Sequence, residues 1–242
     1  MSGSYRYDPS TGSTWSYARP PAARYSTSRT ELWQIGLAFV VLTVDFSFVI
    51  YYIGGATVSD SPSLFGFPYF GVVIVALVAS LTAFLLHEVA HKVVAQRLGH
   101  WAEFRLYWMG LALSLVTSIA IGWLFAAPGA TLVSGMDYSE RPGWGRTALA
   151  GPATNAGFGV VMFLLAFATL SLGAFVTSSL LFLAYINGWF GVFNLVPLGP
   201  LDGAKVFRWS KGYWAVAFAL MAALAALGFF GWISGSPFLG LR

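Results

Sequence analysis

The sequence predicts a polytopic α-helical membrane protein. It has about five transmembrane helices plus a re-entrant, partly β hairpin between the second and third spans; six helices is the alternative. Three observations carry this expectation. The chain is 57% hydrophobic and only 9% charged, against about 25% charged residues in a soluble domain. Most of its apolar segments are near the ~20 residues that a helical span needs. One longer apolar stretch, 104–134, has to return to the side from which it starts, for reasons of charge and site geometry set out below.

The elements follow in order. Residues 1–30 are rich in Ser, Tyr, Gly, Pro and Arg, with Asp8 as the only acid. They read as a disordered basic tail, too long and polar for the first region of a signal peptide. Arg6, Arg19, Arg24 and Arg29 favour a cytoplasmic N-terminus and could touch anionic lipid. Residues 31–242 form a single membrane-embedded domain. Its first apolar segment is Glu31–Ile53, ending at Gly54-Gly55, and the second is Pro68 to about Arg97. The third, Phe104 to about Ser134, is interrupted by Pro128-Gly129. Gly145 to about Leu172, Val176–Val196 and Tyr213–Ile233 complete the set. The absence of cysteine excludes disulfides, thiolate catalysis and cysteine-ligated metals.

The second segment contains His87-Glu88-Val89-Ala90-His91, with two of the chain's three histidines. Positions i and i+4 share one face of a helix, so both imidazoles can reach one metal ion. Glu88 then lies beside the metal, placed to handle protons. Each ionisable group within a bilayer costs about 2.5–3.5 kcal/mol or more without compensation, and a metal is the simplest compensation. A second run, Asn194-Leu-Val-Pro-Leu-Gly-Pro-Leu-Asp202-Gly203, ends the fifth segment. Its prolines break the helix and Gly203 permits an unusual turn, so Asp202 sits on irregular backbone at a helix end. Hydrolytic zinc commonly takes three protein ligands and one water, and Asp202 would supply the third. The alternative is an aspartate that caps a helix at the interface.

With HExxH in one membrane helix, Ala150-Gly-Pro-Ala-Thr-Asn155 opening a later one, and Asn-x-x-Pro followed by Leu-Asp-Gly, the chain resembles the site-2 protease family of intramembrane zinc metalloproteases. The motifs cover roughly residues 70–210 in matching order and spacing. The resemblance implies one Zn2+ ion held by His87, His91 and Asp202, with Glu88 as the catalytic glutamate. It matches the Asn-x-x-Pro asparagine to Asn194 and another motif asparagine to Asn187, as substrate or oxyanion contacts. Asn155, Asn187 and Asn194 are the chain's only asparagines. Each lies in an apolar segment and so needs a partner; for Asn155 and Asn187, helix–helix hydrogen bonding is the alternative to a direct role. Many bacterial relatives carry a PDZ domain or a CBS pair, and this sequence is expected to contain neither.

Charge fixes the expected topology. With the N-terminus inside, the second helix returns and brings Lys92, Arg97 and Arg105 to the cytoplasmic side. If 104–134 crossed the membrane once, Asp202 would end on the face opposite the histidines. The stretch must therefore cross an even number of times, and its length is short for two spans, which need ~40 residues. A re-entrant hairpin fits, with strand character expected in the β-branched run Leu113–Ile121 and a turn at Pro128-Gly129. Of 13 Lys+Arg, only Arg242 is then outside, with the C-terminus. Asp45 remains as an intramembrane acid without an obvious basic partner; it either faces a wet cavity or hydrogen-bonds, protonated, to a neighbouring helix.

The function expected from all this is intramembrane proteolysis in a multi-pass cell-membrane protein. The expected partners are transmembrane protein substrates and the lipid bilayer, with no nucleic acid. A metal-binding transporter or a catalytically silent scaffold is the rival. A transporter would spread ligands over several spans, whereas the ionisable groups here concentrate at one site.

Overall fold

The computed structural model describes residues 5–7, 15–17, 25–54, 61–62, 69–124, 128–134 and 141–234. Strands β1 (Tyr5–Tyr7) and β2 (Trp15–Tyr17) pair antiparallel. The rest of 1–24 and residues 235–242 lie outside the described residues, and with them most of the expected tail and the C-terminus. The order then runs α1 (Arg29–Ile53), α2 (Phe70–Arg97), β3 (Trp101–Leu106), α3 (Trp108–Ile121), β4 (Gly129–Ser134), α4 (Arg141–Ala168), α5 (Ala174–Asn194), α6 (Asp202–Trp209) and α7 (Lys211–Ser234).

Five of these helices, α1, α2, α4, α5 and α7, are long and apolar enough to cross a membrane. The chain is a multi-pass helical membrane protein. Helix α5 is the interior element: every side chain from Leu181 to Gly188 is buried, as expected of a helix surrounded by others. The outer helices turn large apolar residues outward, among them Val40 and Val44 on α1 and Val216 and Phe230 on α7. Such a surface suits lipid. Helix α2 carries a π-helical turn, Ser80–Leu85, that ends two residues before His87; such insertions recur at functional sites.

Strands β3 and β4 form a two-stranded antiparallel sheet, with Trp101 opposite Ser134 and Leu106 opposite Gly129. The Tyr107 amide donates to Pro128 O at 2.8 Å, which brings the two ends of the intervening segment together. Whatever α3 does between them, the chain comes back to where it left. Helix α3, at 14 residues, is about 21 Å long, too short for a ~30 Å hydrocarbon core. The expected re-entrant, partly β hairpin is present.

Its interior differs from expectation. The run Leu113–Ile121, expected to be strand-like, is helical, and the strands lie on either side of it. The buried positions of α3 are Gly110, Leu111, Ser114 and Ser118, a spacing of three and four that belongs to one helical face. That face meets α1, where Ser118 Oγ donates to Asp45 Oδ1 at 2.7 Å. A helix also satisfies its own backbone groups, which an isolated strand beside lipid cannot. Both effects outweigh the preference of β-branched residues for strands.

The first turn of α1 anchors this hairpin. Ser28 caps the helix by accepting from the Glu31 amide at 3.1 Å. Glu31 is buried and pairs with Lys92, the residue after His91, at 2.5 Å. Its other oxygen, Oε1, accepts the Phe104 amide at 3.0 Å, and Gln34 Oε1 accepts the Leu106 amide at 3.1 Å. These two amides point away from β4, so α1 closes the outer edge of β3.

Candidate metal centre

His87 and His91 project from one face of α2, as their spacing requires. Asp202 is the first residue of α6, after the turn Leu195–Leu201 that follows α5. That turn lies close on the helix after it. A Cβ at Gly203 would sit 2.1 Å from Leu195 O, so no larger residue fits without moving the backbone. Trp214 Nε1 donates to the same carbonyl at 2.7 Å, tying α7 to the turn that delivers the aspartate.

The three side chains converge. His87 Nε2 lies 3.0 Å from His91 Nε2. Asp202 Oδ2 lies 2.9 Å from His91 Nε2 and 3.5 Å from His87 Nε2. All three residues are buried. For tetrahedral zinc with bonds of ~2.0–2.1 Å, neighbouring ligand atoms are about 3.3–3.4 Å apart, close to these edges.

The far sides of the rings fix their chemistry. His91 Nδ1 is 2.7 Å from the carbonyl oxygen of Thr147, which can only accept, so Nδ1 carries the proton. His87 Nδ1 is 2.6 Å from Asn155 Oδ1, while Asn155 Nδ2 donates to Ala83 O, in the π turn, at 3.0 Å. The amide is thus oriented with its acceptor toward His87, which donates to it. In the neutral rings both Nε2 atoms then present lone pairs to each other and to a carboxylate oxygen. Three buried acceptors at such distances repel unless a cation lies among them. Two imidazoles and one carboxylate suit zinc, with each ring oriented from behind as in known sites.

Gly151 explains part of the Ala-Gly-Pro-Ala-Thr-Asn run. A Cβ there would lie 2.4 Å from His91 Nε2 and 2.5 Å from His87 Nε2, so only glycine lets α4 pass directly over the rings. Burial works against the charge of Asp202, and the cationic Lys205 beside it works for that charge. Lys205 Nζ approaches the second oxygen, Oδ1, at 3.3 Å.

Glu88, also buried, stands outside the trio and turns to the sheet. Its Oε2 accepts from the Thr131 amide at 2.8 Å and from Thr131 Oγ1 at 2.7 Å. The asparagines divide. Asn155 serves His87. Asn187 bridges α5 to α2, with Nδ2 donating to Thr82 Oγ1 at 3.0 Å and to Leu183 O at 2.9 Å. Asn194 donates to Phe190 O of its own helix at 3.0 Å. Thr131, the Thr147 carbonyl and Lys205 were not singled out from sequence. Nothing local marks the first two, since both act across elements; Lys205, three residues after Asp202, was findable.

A protein of Methanocaldococcus jannaschii named as a candidate zinc metalloprotease is 35% identical to this chain over 160 residues, covering 63% of the chain and 80% of that protein. This chain belongs to the site-2 protease family. A second zinc metalloprotease candidate, from Mycobacterium tuberculosis, is 37% identical over 138 residues, covering 55% of the chain but only 29% of that longer protein. No family model matches the chain, and no solved structure does. Family membership agrees with the donor set: this member is a metalloprotease whose buried His87, His91 and Asp202 form a group fit for zinc.

Proposed function

We propose that the protein is an intramembrane protease that hydrolyses peptide bonds in or near transmembrane segments of other proteins, with His87, His91 and Asp202 as the zinc ligands and Glu88 as the general base and acid. The observation that carries this reading is the meeting of three elements at one point: the ligand trio, the Glu88 carboxylate next to it in sequence, and the β4 strand edge that touches that carboxylate. Bound zinc would supply a Lewis acid and lower the pKa of water from 15.7 to about 7. Glu88 would accept the proton of the attacking water and deliver one to the leaving amine. Its Oε2 accepts from the amide and the hydroxyl of Thr131. Asn194 spends one amide hydrogen on Phe190 O and keeps the other for a substrate oxygen. Asn155 and Asn187 orient and support His87 from behind.

A helical substrate must unwind first, since its carbonyls are already bonded along the helix. The outward edge of β4 has no neighbouring strand among the described residues and would receive the unwound segment by strand addition. The positive-inside rule supports a cytoplasmic N-terminus and an outer C-terminus, with water reaching the site from the cytoplasmic face. The transporter reading lacks support, because among the described residues the His87–His91–Asp202 trio is the only group fit for a metal.

The test is Glu88→Gln in purified protein reconstituted with membrane-anchored candidate substrates. Cleavage should fall by about 10²–10⁴-fold while zinc stoichiometry stays at the wild-type value. Loss of zinc, or near-normal cleavage, would remove Glu88 from the role of base.

A further inference from the structure

The β3–β4 sheet has two edges, and they are not equivalent. Phe104 and Thr131 face each other across the pair. The Phe104 amide turns outward to Glu31 and the Thr131 amide turns outward to Glu88, so this is a pair whose backbone groups point away from the sheet. With the outer edge of β3 closed by Glu31 and Gln34, only the β4 edge can receive another strand. Its central amide, however, is already taken by Glu88 Oε2 at 2.8 Å, and the Thr131 hydroxyl holds the same oxygen at 2.7 Å. The catalytic carboxylate occupies the position of a strand partner's carbonyl.

We propose that Thr131 is a positioning residue that couples substrate docking to Glu88: an incoming substrate strand takes the Thr131 amide and thereby releases the carboxylate for proton transfer. The proposal rests on the proteolytic reading above and adds to it a competition. One N–H has a single hydrogen. A substrate carbonyl that pairs with it as the next strand of the sheet must displace Glu88 from it. Without substrate, Glu88 Oε2 is bound by two donors, one of them part of a rigid ladder. With substrate in register, the peptide bond and the freed carboxylate arrive at the ligand trio together. Hydrogen bonds to a charged group contribute about twice what neutral ones do, so the contact costs binding affinity that its removal should return.

The competition separates this role from a merely structural one. A residue that only orients Glu88 throughout catalysis would, on truncation, lower kcat and leave substrate affinity alone. A contact that substrate must break would, on truncation, raise affinity. The probe is a fluorescent 30-residue peptide with a 20-residue apolar segment interrupted by Asn-Gly, in detergent micelles. Its binding to zinc-loaded protein is read in the fast phase of rapid mixing, before cleavage, and KM and kcat are measured for the active forms. Thr131→Val, which keeps the amide and loses the hydroxyl, and Glu88→Ala should each bind the peptide about tenfold more tightly than wild type, with unchanged zinc stoichiometry. Glu88→Gln, which keeps an acceptor without charge, should fall between, and Thr131→Ser should restore wild-type values. If Glu88→Ala and Thr131→Val bind the peptide no more tightly, including not at all, the competition is wrong. Cleavage by wild type without any gain in affinity in the variants would overturn the coupling and leave proteolysis standing. A gain in affinity with no cleavage by wild type would do the reverse.

Discussion

Asp45 and Asp202 are two buried acids, one in the first membrane helix and one at the start of the short helix α6. Each is shielded from solvent, and sequence alone marks both as unusual. Their surroundings differ in kind. Asp202 meets His91 at 2.9 Å, His87 at 3.5 Å and Lys205 at 3.3 Å, with partners drawn from α2 as well as its own helix. Asp45 receives one hydroxyl, Ser118 Oγ at 2.7 Å, and its Oδ2 has no hydrogen-bond partner among the described residues. Isolation in an apolar layer is therefore a weak sign of chemistry; convergence of several metal-competent side chains is a strong one. The contrast makes graded expectations that mutation can break.

The largest effect belongs to Asp202. Asp202→Ala removes one of three converging donors and leaves two imidazole lone pairs without a third ligand. Zinc affinity should fall by more than the roughly 10–100-fold seen when a group behind a ligand is lost, with cleavage falling alongside. Zinc competition with a chromophoric chelator measures it. Unaltered affinity would place the metal elsewhere and remove the distinction drawn between the two acids.

Asn155 should come next, because in the proposed site it would act on the metal through His87. Asn155→Ala leaves His87 Nδ1 without its acceptor at 2.6 Å and frees the ring to turn. Zinc affinity should drop by about 10–100-fold, whereas Asn155→Asp, which keeps an acceptor, should recover most of it. Should Asn155→Ala match wild type, the amide would be a helix–helix contact only, as its bond to Ala83 O alone would suggest.

The sequence announced this site unevenly, and the reasons are physical. His87, Glu88 and His91 lie within one helical turn of each other, so local periodicity places them. Asp202 became legible because Pro197, Pro200 and Gly203 mark irregular backbone and because hydrolytic zinc takes a third protein ligand. Placing Asp202 with the histidines then demanded that 104–134 return, which gave the hairpin that the Tyr107–Pro128 contact closes. Where the strands lie inside it was misjudged. The β-branched residues of 113–121 satisfied a strand pattern, yet Ser114 and Ser118 are four apart and pack as one helical face against α1. Thr131 and the Thr147 carbonyl escaped notice because their partners are 43 and 56 residues away, and no spacing in the chain encodes that.

The smallest effect is expected at Asp45. Asp45→Leu deletes the carboxyl from a fully buried position. One of its oxygens is unpartnered, so its removal relieves a desolvation cost rather than breaking a bond. The other accepts from Ser118 Oγ, whose single hydrogen can turn to Leu115 O at 3.0 Å, so the serine is not orphaned by the change. Leucine is larger but branches at Cγ as aspartate does, and its side chain suits the apolar layer between α1 and α3. Stability should therefore stay within about 1 kcal/mol of wild type or rise, as when buried polar groups give way to packed apolar ones, and zinc affinity should not move. Thermal unfolding in micelles with zinc analysis reads both. If instead Asp45→Leu kept its fold and zinc but lost cleavage, Asp45 would belong to the reaction chamber, and the separation between the two acids would fail.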